Sequence, residues 1–202
     1  MSYSLGFTAA SLRPELARIV AECYLATGNW DLTKDRILSS NALQCQSANS
    51  AIRLERELRQ RLRTLTHDQV SLLARATAED RGAISWLAAC KHIQFVFEFA
   101  SEVLRDKLAL LDPVLRLSDY ETYVENKALV HPELTGLTPS SNGKIRRVLL
   151  RMLSEAGLLV SGTALGAVER PVLSPSVIGV ITADSPSWLA GFLVPDTEIP
   201  FR

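Results

Sequence analysis

The sequence lacks a long apolar run and any feature of a secretory leader. No segment approaches the about 18 apolar residues that a membrane-spanning helix needs, and the longest stretch without a charged residue, 37–52, is rich in Ser, Asn and Gln. The N-terminus has neither the basic region nor the continuous apolar core of a signal peptide. We therefore expect no membrane association and a cytoplasmic protein.

Cysteine and histidine are sparse. Cys23, Cys45 and Cys90 are odd in number and far apart, and no CxxC or Cys/His spacing typical of a metal site occurs. The simplest interpretation is a set of small buried thiols in a reducing compartment. We expect neither a bound metal nor a cofactor.

The motifs of familiar active sites are also missing. The chain has no GxGxxG, GxxxxGK[ST], HExxH or GxSxG pattern. His67, His92 and His131 have no Cys or Ser partner at a motif spacing, and no carboxylate pair stands out as catalytic. Catalytic groups can be assembled in space from distant residues, so this absence argues against an enzyme only weakly. We expect no catalytic residue and no enzymatic activity.

The charge is balanced overall but unevenly distributed. The chain of 202 residues has 22 basic and 22 acidic residues, and 17 of the basic residues are arginine. Residues 47–65 contain five arginines and two glutamates, a net charge of +3, and residues 138–160 contain four basic residues and one glutamate, again +3. The planar guanidinium group suits phosphate and guanine edges. Two basic segments in a neutral chain indicate a polyanionic partner.

Apolar residues recur every three or four positions through most of the chain, which predicts an all-α fold. The aromatic-rich segment 79–111 is predicted to be the central core helix, with a break near Ala100. Asp112-Pro113 marks the predicted boundary between an N-terminal helical domain, 1–112, and a C-terminal winged-helix-like domain, 113–202. Residues 158–173 form either a two-stranded wing or an irregular loop.

The N-terminal domain contains a predicted helix-turn-helix-like element at about 31–65, made of a short helix, a turn and a longer basic helix. Ser47 is the expected N-cap of the longer helix. Its apolar side includes Ala51, Leu58 and Leu62. An apolar back and a polar, arginine-rich front are typical of a DNA-recognition helix, although a solvated surface helix has the same pattern. The front carries Asn49, Arg53, Arg56, Gln60 and Arg63.

A second basic helix is predicted at 140–156, where Thr138-Pro139 provides an N-cap and a first-turn proline. Its outer face carries Lys144, Arg147 and Arg151. Three polar residues stand at its N-terminal tip: Ser140, Ser141 and Asn142. The second half of the chain thus repeats the plan of the first half, in arrangement rather than in sequence.

Three segments carry a resemblance to a known family. They are SYSLGFTAASLRPELARIVAECYLATGNWDLTKDRILSSNALQ (2–44), SANSAIRLERELRQRL (47–62) and DYETYVENKALVHPELTGLTPSSNGKIRRVLLRMLSEAGLL (119–159). Together they resemble the BrxA family of the BREX bacteriophage-exclusion systems. The resemblance implies an all-helical protein with two helix-turn-helix elements that binds double-stranded DNA and has no established catalytic activity. The resemblance also implies that the protein acts together with a methyltransferase and other BREX proteins.

From pattern and resemblance together we expect a non-enzymatic, double-stranded-DNA-binding component of a BREX phage-defence system, acting as a monomer. Arginines and lysine on the two faces would contact phosphates, and Ser and Asn at the helix tips would contact phosphates or base edges. The alternatives are a helical adaptor that recruits another BREX subunit and an RNA-binding helical bundle of the antitermination-factor kind. The candidate DNA-binding residues are Ser47, Asn49, Ser50, Arg53, Arg56, Gln60, Arg63, Ser140, Ser141, Asn142, Lys144, Arg147 and Arg151.

Overall fold

The computed structural model describes residues 3–200 and is mostly helical, which confirms the predicted fold class. A small antiparallel sheet is the other regular element. The helices are α1 Pro14–Thr27, α2 Trp30–Ser39, α3 Ala48–Leu62, α4 His67–Arg75, α5 Ala78–His92, α6 Gln94–Glu98, α7 Arg105–Ala109, α8 Leu117–Ala128, α9 Pro132–Thr135, α10 Pro139–Glu155 and α11 Pro175–Asp184. The strands are β1 Val114–Leu115, β2 Leu159–Val160 and β3 Gly166–Val168. Short 3-10 turns are Gly6–Ala9, Pro186–Phe192 and Asp196–Glu198.

The core is built around α5 and α6. Every residue from 82 to 90 is buried, and α5 packs against α1, α3, α4 and α6. The Trp86 indole is fully buried and donates its N–H to the Gly191 carbonyl at 2.8 Å, which satisfies its one polar group. This confirms the central core helix predicted from the aromatic-rich segment.

The core helix is interrupted twice. A π-helix, Phe99–Leu104, follows α6 and includes Ala100, where a break was predicted. The other interruption is at Ile93, whose extended backbone (φ −123°, ψ 91°) separates α5 from α6. No proline or glycine marks Ile93, so the sequence gives no local signal for this second break.

Helix caps agree with the sequence at most positions and differ at two. Polar residues that precede the helical segments predict N-caps at Asp31, Ser47, Thr66, Ser118 and Thr138. Of these, Ser47, Thr66 and Thr138 are N-caps in the structure. The N-cap of α2 is Asn29 rather than Asp31, because the chain becomes extended directly after Gly28 and the Asn29 side chain accepts from two following amides. The N-cap of α8 is Arg116 rather than Ser118. Its backbone N–H donates to the Asp119 carboxylate at 2.6 Å, so the helix begins two residues early.

The segment 158–173 forms a wing. Strands β2 and β3 pair antiparallel, with Leu159 opposite Val168, and β1 pairs with the other edge of β3, so that the strand order is β1-β3-β2. The third strand comes from the residues directly after Pro113. Strand β1 precedes α8 and strand β2 follows α10, so one sheet joins the two ends of the α8–α10 segment.

The residues that follow the wing return to the N-terminal helices. Helix α11 packs against α4 and α5, where the Gln69 amide donates to the Val180 carbonyl at 3.0 Å and Lys91 pairs with Asp184 at 2.9 Å. The division of the chain into domains 1–112 and 113–202 stays a prediction. Among the helices of residues 3–200, none is long and apolar enough to cross a membrane.

Candidate nucleic-acid interface

The first basic face lies on α3. The Ser47 hydroxyl accepts from the Ser50 amide at 3.2 Å and begins the helix, while Ala51, Leu58 and Leu62 are buried beneath it. All of the predicted residues of this face are exposed: Ser47, Asn49, Ser50, Arg53, Arg56, Gln60 and Arg63. Within residues 3–200, the Arg53, Arg56 and Arg63 guanidinium groups form no ion pair, so their charge is available to a partner.

The other two arginines of α3 have a structural role. Arg59 pairs with Glu55 at 2.6 Å, and Arg61 pairs with Glu57 at 2.7 Å. Each pair is neutral, so the net charge of +3 in this segment comes entirely from the three outward arginines. Arg61 is only 2% exposed, and both glutamates are buried. The sequence predicted the outward face correctly but did not distinguish these two arginines from the rest.

The second basic face lies on α10. The Thr138 hydroxyl caps the helix by accepting from the Ser141 amide at 3.1 Å. Asn142 is half-buried, and its side-chain oxygen accepts from the Tyr120 hydroxyl at 2.6 Å, so this predicted contact residue also anchors α10 to α8. The remaining predicted residues of this face are exposed: Ser140, Ser141, Lys144, Arg147 and Arg151.

The N-terminal segment, residues 4–13, joins the two faces. Its 3-10 turn contacts both α3 and α10. One hollow beside the turn is lined by Arg53, Arg56 and Gln60, and another by Lys144, Arg147 and Arg151. Ala9 lines both hollows. The structure therefore brings the two predicted groups of basic residues to either side of one short segment, where Arg13 adds a further cation to the second hollow.

Two buried or half-buried charges hold this segment in place. The Arg61 guanidinium donates to the carbonyl oxygens of Ala10 at 2.8 Å and Ser11 at 2.7 Å. The Glu155 carboxylate of α10 accepts from the Ser11 hydroxyl at 2.8 Å and from the Leu12 amide at 2.7 Å. Both helices thus bind the same short segment, α3 through the carbonyls of Ala10 and Ser11 and α10 through the Ser11 hydroxyl and the Leu12 N–H.

Sequence reasoning missed this N-terminal clamp. Its partners are separated by 50 and 143 positions, so no local pattern connects them. One signal was present, because Glu57 and Arg61 are four residues apart on a helix and ion pairs at that spacing share a face. Their burial depends on the N-terminal segment lying over them, which periodicity does not predict.

The remaining titratable group at the first face is His92, at the end of α5. Burial lowers the pKa of its imidazole, and Arg61 acts in the same direction while Glu57 opposes it. The described residues contain no group of three or more His, Cys, Asp or Glu side chains that could hold a metal ion. The arrangement is suited to binding anions through arginine, lysine and neutral donors.

Comparisons with known proteins place the chain in a family. The family model of BrxA matches residues 1–185. A protein of Escherichia coli O9:H4 (strain HS) named "BREX protein BrxA" is 28% identical over 141 residues, which cover 70% of this chain and 66% of that protein, slightly less than two thirds of its length. A protein of the same name from Bacillus cereus (strain H3081.97) is 25% identical over 150 residues, which cover 74% of this chain and 75% of that one.

The fold also occurs in a solved structure. A crystal structure of an uncharacterized protein from Magnetospirillum magneticum superposes with a TM-score of 0.82 at 20% identity, covering 96% of this chain and 98% of that chain. At this level of identity the similarity concerns the fold alone. The match of the family model over nearly the whole chain carries the assignment: the chain belongs to the BrxA family.

Proposed function

We propose that this protein is a double-stranded-DNA-binding component of a BREX phage-defence system. Its membership of the BrxA family and the names of its relatives support the BREX assignment. The observation that carries DNA binding is the placement of two outward-facing basic helices on either side of one N-terminal segment. Arginine side chains spread over two helices can contact phosphates along a duplex rather than at a single point.

Phosphate contacts supply most of the affinity in this proposal. Arg53, Arg56 and Arg63 contact the backbone from α3, while Lys144, Arg147 and Arg151 contact it from α10. The exposed serines at both helix tips, together with the amide groups there, bind phosphate or reach base edges. Each phosphate contact releases counterions from the duplex, so the affinity falls steeply as the salt concentration rises.

The experiment is a salt series of duplex binding by wild type and single charge-reversal variants. Arg56→Glu in α3 and Arg147→Glu in α10 are each expected to weaken binding by about tenfold, or about 1.4 kcal/mol. Each should also reduce the slope of log affinity against log salt by about 0.9. Arg75→Glu is the control, because Arg75 is an exposed arginine at the end of α4, outside both faces. Equal effects of all three variants would remove the assignment of these faces.

Recruitment of a protein partner is the second candidate function, and a specific surface favours it. Five exposed apolar residues stand near the two ends of α8, and the adjacent hollow is lined by three carboxylates and two lysines. Lys127 pairs with Glu102 and Lys107 with Asp119, so the net charge of the hollow is −1, from Asp106, which forms no ion pair in the described part of the chain. A cationic amphipathic helix of another BREX subunit fits this combination of charge and apolar surface. The apolar residues are Leu110, Leu111, Leu117, Leu129 and Val130.

The two candidates, and the RNA alternative, give different results in one set of binding assays. Retention of duplex DNA at physiological salt supports the first. Failure to bind any nucleic acid, together with co-purification of a named BREX subunit that Leu110→Ser/Leu111→Ser abolishes, supports the second. Competition by structured RNA that exceeds competition by duplex DNA supports an RNA-binding protein.

A further inference from the structure

A small, mainly polar cavity lies between the first basic face and the N-terminal segment. Its volume is about 230 Å³, and its walls come from α3, from the 3-10 turn at Gly6–Ala9 and from the junction of α5 and α6. Pockets that enclose drug-sized ligands measure roughly 300–1,000 Å³. This cavity is smaller, so it suits one charged group of a ligand rather than a whole nucleotide.

The charge of the cavity suits an anion. Arg53 and Arg56 line it and are exposed, and neither forms an ion pair with any residue from 3 to 200. Glu57 also lines it, but one of its oxygens accepts from Arg61 at 2.7 Å and 3.1 Å, and the charge of this buried pair is zero. The remaining charge of the lining arginines is +2, which complements a phosphate group.

His92 provides a neutral donor at the same place. Its ring is half-buried in the wall of the cavity and has no hydrogen-bond partner in the described part of the chain. Because burial lowers the pKa of His92, the imidazole is uncharged at neutral pH and presents one N–H donor and one acceptor nitrogen. The Gln60 amide and the Ser4 hydroxyl line the cavity as further donors.

We propose that this cavity binds a single phosphate group, held by Arg53, Arg56 and His92. If the phosphate belongs to a duplex, the inference rests on the proposed function and deepens it, since a phosphate in the cavity fixes the position of α3 along the backbone. A phosphate of a free small molecule satisfies the same chemistry. The experiment therefore has one arm for each source.

Gly6 lies in the wall of the cavity, and its substitution can block the cavity while Arg53, Arg56 and His92 stay unchanged. A Cβ at Gly6 meets no atom within 4 Å, so a longer side chain fits there. Gly6→Glu places a carboxylate at the rim, where it competes with phosphate for the arginines, and Gly6→Gln adds the same bulk without the charge. Thermal unfolding of both variants checks that the fold is retained.

The first arm uses inorganic phosphate and the nuclear magnetic resonance signals of the His92 ring. We expect phosphate to shift these signals with saturation, sodium chloride at equal ionic strength to leave them in place, and Gly6→Glu to bind phosphate at least about tenfold more weakly than Gly6→Gln, or about 1.4 kcal/mol. Equal shifts of the His92 signals with phosphate and with chloride would overturn the phosphate site, and so would equal phosphate affinities of Gly6→Glu and Gly6→Gln.

The second arm uses duplex DNA. If the cavity takes a backbone phosphate, the salt slope of Gly6→Glu is smaller than that of Gly6→Gln by about 0.9. If both variants bind the duplex tightly with the same salt slope, the cavity does not hold a phosphate of the duplex, and the proposed function stands. A saturable phosphate shift at His92 in a protein that binds no duplex overturns the proposed function instead, and the pocket then belongs to a free phosphate compound.

Discussion

Arg61 and Glu57 form a charged pair beneath the N-terminal segment and give that segment its position. The guanidinium group satisfies a carboxylate and two backbone carbonyls at once. A buried ion pair contributes little net stability compared with an apolar pair of the same shape, but removal of one member leaves an uncompensated charge in the interior. Such a pair therefore favours one arrangement of the chain, because any arrangement that separates the two charges leaves one of them buried without a partner.

Substitution of Arg61 tests this view at the level of one residue. Arg61→Met is expected to lower the free energy of unfolding by about 3–5 kcal/mol, because Glu57 and the carbonyls of Ala10 and Ser11 lose their donor. Urea unfolding followed by circular dichroism measures the change. Arg53→Met, on the exposed face of the same helix, is the matched control and should change stability by less than about 0.5 kcal/mol. A similar small effect of Arg61→Met would show that the pair does not hold the segment.

The individual residues of the two basic faces were largely predictable from sequence, and the clamp was not. Helical period alone places Arg53, Arg56 and Arg63 opposite the buried leucines of α3. The same period cannot show that Glu155 of α10 accepts hydrogen bonds from Ser11 and Leu12, since that contact forms only when distant segments meet.

At the level of elements, the helix termini show which local signals are sufficient. Ser47, Thr66 and Thr138 were predicted as caps from the residues that follow them, and each hydroxyl accepts from the amide three positions later. The start of α8 at Leu117 was not predicted, because the carboxylate of Asp119 reaches back to the Arg116 amide and the strand β1 ends just before it. Local sequence patterns therefore predict that a helix begins near this position, but the exact N-cap of α8 also depends on where strand β1 ends.

The wing depends on one glycine. Gly166 has a φ of 135°, and a Cβ there would lie 2.7 Å from the Val160 carbonyl oxygen. A side chain at this position is strained and clashes with the paired strand. From the sequence, residues 158–173 could form either a two-stranded wing or an irregular loop. Periodicity could not decide between them, because it does not reveal the close approach of β2 to β3 at Gly166.

Replacement of Gly166 tests the wing. Gly166→Ala is expected to destabilise the protein by about 1–3 kcal/mol, the usual cost of such backbone strain, and to increase amide hydrogen exchange at Val168, whose N–H donates to Pro113. Gly179→Ala in α11 is the control, since a Cβ there meets no atom within 4 Å. This helical substitution should raise stability by about 0.5–1 kcal/mol. Equal effects of the two would argue against strain at Gly166.

At the level of the whole molecule, the chain is tied together by polar contacts between its distant parts. Lys91 of α5 pairs with Asp184 of α11, and Arg105 of α7 pairs with Asp196 near the C-terminal end. Tyr3 stacks on His131 with ring centroids 3.7 Å apart and donates its hydroxyl hydrogen to Glu98. These contacts hold distant parts of the chain together, and their long sequence separation explains why the sequence could not predict them.

Glu98 connects three of these parts, because it also accepts from Lys127 of α8 at 2.5 Å. Burial raises the pKa of Glu98, but hydrogen bonds from Lys127, Tyr3 and Gln94 lower it by more, so the net shift is downward. A carboxylate with a lowered pKa in the folded state stabilises the protein above the unfolded pKa of about 4.3. This contribution is lost as the pH falls through the lower folded value.

Glu98→Gln is therefore expected to change how stability depends on pH. The variant should be less stable than wild type at pH 7, and the difference between the two proteins should shrink as the pH falls below about 4.3. Urea unfolding at several pH values measures both quantities. Glu121→Gln, on the exposed side of α8, is the control for loss of one negative charge. A difference between wild type and Glu98→Gln that stays constant from pH 7 to the acid limit would mean that Glu98 acts through packing, because only an ionised carboxylate bound by Lys127 and Tyr3 makes the stability titrate.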